Sequence, residues 1–214
     1  MLRLILFVLT LVAVHGTSVS ANDTAEKPIR LLVLGDSLAA GYGLPEADAF
    51  PSQLEAALQK AGQTVRVINA GVSGDTTAGG RARLDWALGD KPQLVIVELG
   101  ANDALRGLPP HQTRENLDAI LTRLKEAGVR VILAGMQAPR NMGADYTAAF
   151  DPIYSELARK HHVALYPFFL EGVALEPALN QADGIHPNPA GVAEIVKRIL
   201  PMVLQELEKI MENQ

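Results

Sequence analysis

Five short runs of apolar residues recur along the chain, at positions 29–34, 64–69, 94–99, 129–134 and 163–167. Each is rich in Val, Ile or Leu, and its length suits a strand better than a helix. Between them the apolar residues change to helical spacing. Leu54, Ala57, Leu58 and Ala61 fall at i, i+3, i+4 and i+7 ahead of Gly62. Leu117, Ile120, Leu121 and Leu124 repeat the pattern, with Thr113 as the expected N-cap and Gly128 as the stop. Near the end, Asn188 is placed to cap a helix and Pro189 to occupy its first position. Val192, Ile195, Val196 and Ile199 then form the inward stripe, and Pro201 is expected to kink or interrupt that helix. Near-continuous apolar strands alternating with helices predict an α/β domain in three layers, helices covering both faces of a five-stranded parallel sheet.

The first 21 residues stand outside this alternation. Arg3 supplies a positive start, Leu4 to Val14 an apolar stretch too short to span a bilayer as a lasting helix, and Val19-Ser20-Ala21 a small-residue cleavage motif. This is the layout of a cleaved signal peptide, so the expected division is 1–21 signal, 22–28 spacer and 29–214 one domain. The expected location is the periplasm or the medium, with no stable membrane anchor. A formal charge of −5 argues against nucleic acid or an anionic membrane surface as partner. The chain has no cysteine, which excludes a thiol nucleophile, thiolate metal sites and disulfides.

In an open parallel sheet, ligands bind beyond the carboxyl ends of the strands, so the residues just after each apolar run carry the chemistry. The first run leads into Gly35, Asp36 and Ser37. The second leads into Gly71-Val72-Ser73-Gly74-Asp75-Thr76, and the third into Gly100-Ala101-Asn102-Asp103. Before the last helix comes Asp183-Gly184-Ile185-His186-Pro187. A serine hydroxyl needs a base before it can attack carbon, and an imidazole suits that task near neutral pH. The imidazole in turn needs an acceptor on its other nitrogen. Asp183 and His186, three apart around a glycine, fit that pairing. The Ser37 amide, the Gly74 amide and the Asn102 side chain are candidate donors to a developing oxyanion.

Four ordered blocks, GDSLAAGYG at 35–43, NAGVSGDT at 69–76, ELGANDALRG at 98–107 and DGIHP at 183–187, resemble the SGNH (GDSL-type) hydrolase superfamily. Within it they are similar to the bacterial esterase, thioesterase I and lysophospholipase L1 group, which includes secreted arylesterases. The resemblance implies a flavodoxin-like fold, Ser37 as nucleophile, His186 as general base and acid, and Asp183 as its orienter. It implies an oxyanion hole made by the Ser37 and Gly74 amides and the Asn102 side chain, with no cofactor and no metal. The implied substrates are small-molecule acyl esters, thioesters or lysophospholipids; nothing in the sequence demands more than a monomer. Some relatives have Gly-Gly-Asn-Asp in the third block, where this chain has Ala101, a change expected to touch only the pocket floor.

Each residue also has a plainer role. Ser37 suits a helix N-cap, Gly74 a left-handed turn, and Asn102 and Asp183 ordinary turns. Asp36, beside the serine, is expected to hold its turn through backbone hydrogen bonds, and Asp103 to brace a loop. Leu105, Leu108, Pro139, Met142 and Tyr146 lie in the expected loops 104–112 and 138–147, where they are candidates to line an acyl groove. Arg106 and Arg140 in the same loops are expected to be solvated. His15, His111, His161 and His162 lack an aspartate three residues earlier and are expected to be bystanders. Two other functions use the same rim: Asp36, Asp75, Asp103, Asp183 and His186 as ligands of a divalent metal in a phosphoester hydrolase, or a non-catalytic binding module on this fold.

Overall fold

The computed structural model describes residues 27–212. The signal segment 1–21, and residues 22–26 of the expected spacer, lie outside the described residues; Lys27 and Pro28 precede the first strand without regular structure. In chain order the elements are β1 Ile29–Gly35, α1 Ser37–Ala40, α2 Phe50–Lys60, β2 Val65–Gly71, α3 Thr77–Ala87, β3 Leu94–Glu98, α4 Ala101–Leu105, α5 Pro110–Glu126, β4 Arg130–Ala134, α6 Ala144–Phe150, α7 Ile153–His161, β5 Ala164–Tyr166 and α8 Pro189–Met211. Every strand pair is parallel and the order across the sheet is β2-β1-β3-β4-β5.

The central strands explain why the apolar runs carry no polar alternation. Leu31, Leu32, Val33 and Leu34 on β1 and Leu94, Val95, Ile96 and Val97 on β3 are buried almost completely. A strand sealed on both faces has no solvent side to decorate. α2 packs against α8 and β2, while α3, α5 and α7 form a second group running from β1 to β5. Phe50 on α2 meets Phe169 edge-on, with ring centroids 5.0 Å apart, which ties the segment after β5 to the α2 side.

Two helix expectations are corrected. Thr113 does not cap α5. The helix starts at Pro110, in the first turn, where the missing N–H costs nothing. Thr113 instead lies buried in that turn and donates to Asp103 Oδ1 at 3.2 Å. Pro201 does not interrupt α8, which runs on to Met211. Pro201 sits on the exposed side, so the carbonyl it leaves unpaired faces solvent, and the packed stripe of Ile195, Ile199 and Val203 carries the helix through. Asn188 caps α8 as expected, its Oδ1 accepting from the Ala190 and Gly191 amides at 3.0 Å.

In a 2-1-3-4-5 sheet the chain leaves β1 and β3 toward opposite faces, opening a crevice above their carboxyl ends. Asp36 and Ser37 emerge from β1 there, and Asn102 from β3.

Candidate active site

Ser37 is the first residue of α1, and the cap is Asp36, whose Oδ1 accepts from the Leu38 amide at 3.0 Å. This corrects the plainer reading of Ser37 as N-cap and frees its hydroxyl. The Ser37 Oγ lies 2.9 Å from His186 Nε2, across 149 positions of sequence. His186 Nδ1 lies 2.7 Å from Asp183 Oδ2, and Asp183 Oδ1 accepts from the Ile185 and His186 amides at 3.0 Å each. Those bonds, led by the one from the His186 amide, hold the Asp183 carboxyl down at about 2. An ionised carboxylate at that distance requires the proton on Nδ1, which leaves Nε2 bare to accept from the Ser37 hydroxyl. A hydroxyl so placed can pass its proton to the ring as its oxygen attacks carbon.

The donor residues surround the same turn. Gly74 sits at φ 83°, a left-handed conformation that a side chain would strain. Neither its N–H nor that of Ser37 meets an acceptor among the described residues. Asn102 differs: its Nδ2 donates to Asp36 Oδ2 at 3.0 Å and to the Asp75 carbonyl at 2.9 Å, so both amide hydrogens are engaged. Both partners are acceptors, which fixes the orientation of the amide. The side chain therefore stitches the Ser37 turn to the Gly74–Asp75 turn.

The remaining rim carboxylates are committed elsewhere. Asp103 accepts from the Thr77 amide (2.9 Å), the Thr77 hydroxyl (2.6 Å) and Thr113, bracing the start of α3. Asp75 Oδ2 takes Arg83 Nε at 2.6 Å. Among the described residues no group of three or more His, Asp or Glu is arranged to hold a metal, so the five rim residues do not form a chelate. His161 bonds to Asp118 at 2.6 Å and His162 ends α7, both away from Ser37.

The expected groove loops are partly helical. Leu105 closes α4 and is half exposed, while Tyr146 lies on α6, where a loop was expected. The Tyr146 hydroxyl donates to the Leu108 carbonyl at 2.8 Å, and the Met142 methyl lies against Gly107. Met142 and Tyr146 thus brace the 105–108 segment, while the Pro139 carbonyl accepts from the Met142 amide at 3.0 Å. Arg140 pairs with Asp151 at 2.9 Å.

Four features escaped the sequence reading. The Tyr42 ring lies 4.6 Å from the His186 ring, tilted by 37°. Gln181 Nε2 bridges the Tyr42 and Pro187 carbonyls at 2.8 and 3.0 Å, joining the two loops that carry Ser37 and His186. Arg106 Nη2 donates to the Gly74 carbonyl at 2.7 Å and so holds that turn. Arg83 adds bonds to the Ala70 and Gly35 carbonyls at 2.6 and 2.8 Å, pinning the ends of β2 and β1. A glycine or carbonyl as partner leaves no mark in a sequence, so only the charge of Arg83 beside Asp75 offered a signal.

Known proteins resemble the chain over most of its length. The model of the GDSL-like lipase/acylhydrolase family matches residues 33–193. An arylesterase of Vibrio mimicus is 44% identical over 191 residues, covering 89% of this chain and 92% of its own. The thioesterase 1/protease 1/lysophospholipase L1 of Escherichia coli is 43% identical over 178 residues, covering 81% and 84%. The solved esterase EstA from Pseudoalteromonas sp., inhibited by monoethylphosphonate, is 30% identical with a TM-score of 0.79, covering 84% of this chain and 98% of its own.

Proposed function

The chain belongs to the GDSL-like lipase/acylhydrolase family and hydrolyses esters, and from that premise we propose that Ser37 is its nucleophile, His186 its general base and acid, and Asp183 the orienter of His186. The observation that carries this reading is the unbroken run of short contacts, 2.9 Å from Ser37 Oγ to His186 Nε2 and 2.7 Å from His186 Nδ1 to Asp183. Ser37 Oγ attacks the acyl carbonyl as its proton passes to Nε2. The oxyanion takes the unpartnered Ser37 and Gly74 amides. Asn102 joins them by sharing one of its two engaged hydrogens. The imidazolium returns its proton to the leaving oxygen or sulfur, giving an acyl-enzyme on Ser37. Water, losing its proton to Nε2, then attacks the acyl carbon, and Ser37 leaves with that proton as the carboxylic acid departs.

The proposed substrates are aryl and alkyl carboxylic esters, together with thioesters and lysophospholipids, in line with the names of the relatives. Exposed apolar side chains near the turn, Tyr42, Val72, Leu105 and Ile185, offer an acyl or aryl group a surface to lie on. Leu105 and Leu108 carry that contact on the segment braced by Met142 and Tyr146, with Pro139 joined to it through Met142. The enzyme acts as a monomer, without cofactor or metal, in the periplasm or outside the cell after loss of residues 1–21. No described helix is long and apolar enough to cross a membrane.

The test is a fluorophosphonate, which phosphonylates an activated serine, with nitrophenyl esters of graded length, a lysophospholipid and an acyl-CoA as substrates. Ser37→Ala is expected to abolish labelling and to lower kcat/KM by roughly 10⁴-fold or more. EDTA is expected to leave wild-type turnover unchanged. Near wild-type turnover by Ser37→Ala, or loss of activity on chelation, overturns the assignment.

A further inference from the structure

β3 is apolar until its last residue, Glu98, whose side chain is fully buried. Burying a carboxylate is costly unless a cation or several donors meet it. Among the described residues no cation reaches Glu98. Its Oε2 accepts from the Asp36 amide at 3.2 Å, the Ala39 amide is a second donor to the carboxyl, and Oε1 has no hydrogen-bond partner. The contact is close because residue 35 is glycine: a Cβ there would overlap both Glu98 Oε2 and the Ala39 side chain. The carboxyl is thus tucked directly beneath the chain that turns into Ser37.

Among the titratable groups nearby, Asp36 makes its ionisation costlier still. From the β1–α1 turn comes Asp36, also fully buried. From α4 comes Asp103, and from α7 Tyr154, whose hydroxyl donates to the Leu99 carbonyl at 2.8 Å. From the β2–α3 turn comes Asp75, and from the last loop His186, which is drawn to Asp36. Arg83 on α3 faces the Gly35 carbonyl but directs its donors to Asp75, Ala70 and Gly35. Two adjoining buried carboxyls without a cation between them cannot both carry charge. Asp36 has the donors to keep it, from Leu38 and Asn102. Glu98, with one oxygen unpaired, does not.

We propose that Glu98 is a positioning residue that works as a neutral carboxylic acid: its Oε2 holds the Asp36 amide beneath the Ser37 turn, and its retained proton leaves the charge of the pair on Asp36. That charge is what grips the Asn102 amide and so fixes the third oxyanion donor. Burial pushes the Glu98 carboxyl well above its ordinary range and Asp36 up to about 6, in the same order. The kinetic part rests on Ser37 as nucleophile; the protonation state does not.

The experiment compares the full-length enzyme with Glu98→Gln and with Glu98→Leu. Infrared spectroscopy at about pH 8 reads the carbonyl stretch of any protonated carboxyl, which lies well above the carboxylate bands. The wild type is expected to show this band and Glu98→Gln to lack it. Glu98→Gln keeps an acceptor for the Asp36 amide and adds no charge, so its kcat per phosphonate-labelled site is expected within about threefold of wild type. Glu98→Leu has no acceptor, and its kcat per labelled site is expected to fall about ten- to hundredfold with KM little changed. A wild type without the band, a Glu98→Leu enzyme with wild-type kcat, or a Glu98→Gln enzyme as impaired as the leucine variant each overturns the proposal. If Glu98→Leu fails to fold, the band and the glutamine kinetics decide. Failure of phosphonate to label wild-type Ser37 would instead remove the nucleophile assignment and leave the infrared result standing.

Discussion

Asp36 and Asp183 both stand within one or two side chains of Ser37, and the fold treats them in opposite ways. Asp36 is sealed, and burial drives its carboxyl up to about 6 against the bonds from Leu38 and Asn102. Asp183 keeps 38% of its side chain exposed, and three donors of the His186 turn hold it near 2. An imidazole needs an orienter that is ionised and has an oxygen to spare. Asp36 has spent one oxygen on its own helix and the other on Asn102. Asp183, far away in sequence, has Oδ2 aimed at Nδ1. Adjacency in the chain says little about adjacency of function.

The sharpest way to break this comparison is Asp183→Asn. An amide there can present N–H to the ring, forcing the proton onto Nε2, where it cannot accept from Ser37. We expect kcat to fall by about 10²- to 10⁴-fold, with the fold intact by circular dichroism. Steady-state rates near wild type would show that His186 takes its orientation from elsewhere. Asn102→Ala follows, with an expected loss of about 10²- to 10³-fold in kcat and little change in KM. A tenfold or smaller loss would mean that Asn102 serves chiefly as the stitch between turns rather than as a donor.

Asp36→Asn is milder and tests the other side of the comparison. The new amide keeps an acceptor for the Leu38 N–H but offers its own N–H toward Asn102, donor against donor. An approximately tenfold fall in kcat is expected near neutral pH. The variant should also lose whatever part of the wild-type decline below about pH 6 comes from protonating Asp36. An unchanged acid limb, read from kcat across pH, would assign that limb wholly to other groups.

How much of this the sequence could tell depends on the range over which each feature acts. The strands and the α2, α5 and α8 stripes were legible because burial imposes a local period, and Asn188-Pro189 because a cap is satisfied within three residues. The four strand-end blocks were legible because each puts short polar residues where an apolar run stops. Thr113 misled because a serine-like cap and a buried donor to Asp103 look alike until the partner helix is known. Pro201 misled because tertiary packing outweighed a local cost. Glu98 reads, in sequence alone, as the tail of an apolar run. Its partner, the Asp36 amide, lies 62 positions away and is backbone, so no residue type advertises the contact. Tyr42 against His186 belongs to the same class.

The smallest expected effect is on stability, and its sign separates the two aspartates most plainly. Asp183 has a folded value of about 2 against the ordinary 3.8, so its contribution is full above that value and is lost as pH falls toward 2. Asp36 has a folded value of about 6 against 3.8. Protonation therefore favours the folded state, and this contribution is full below about pH 4 and lost as pH rises through 6. Because Asp183 is exposed, solvent screens its share, and the Asp36 term should be the larger. Thermal unfolding of wild type, Asp36→Asn and Asp183→Asn from about pH 2 to 8 reads both. The difference in Tm between wild type and Asp183→Asn should shrink toward the acid end. The difference between wild type and Asp36→Asn should instead move against the wild type between about pH 4 and 6. If the two differences moved in the same direction with pH, the opposed environments of the two carboxyls would be wrong, and with them the reason for proposing Asp183 rather than its sealed counterpart as the orienter of His186.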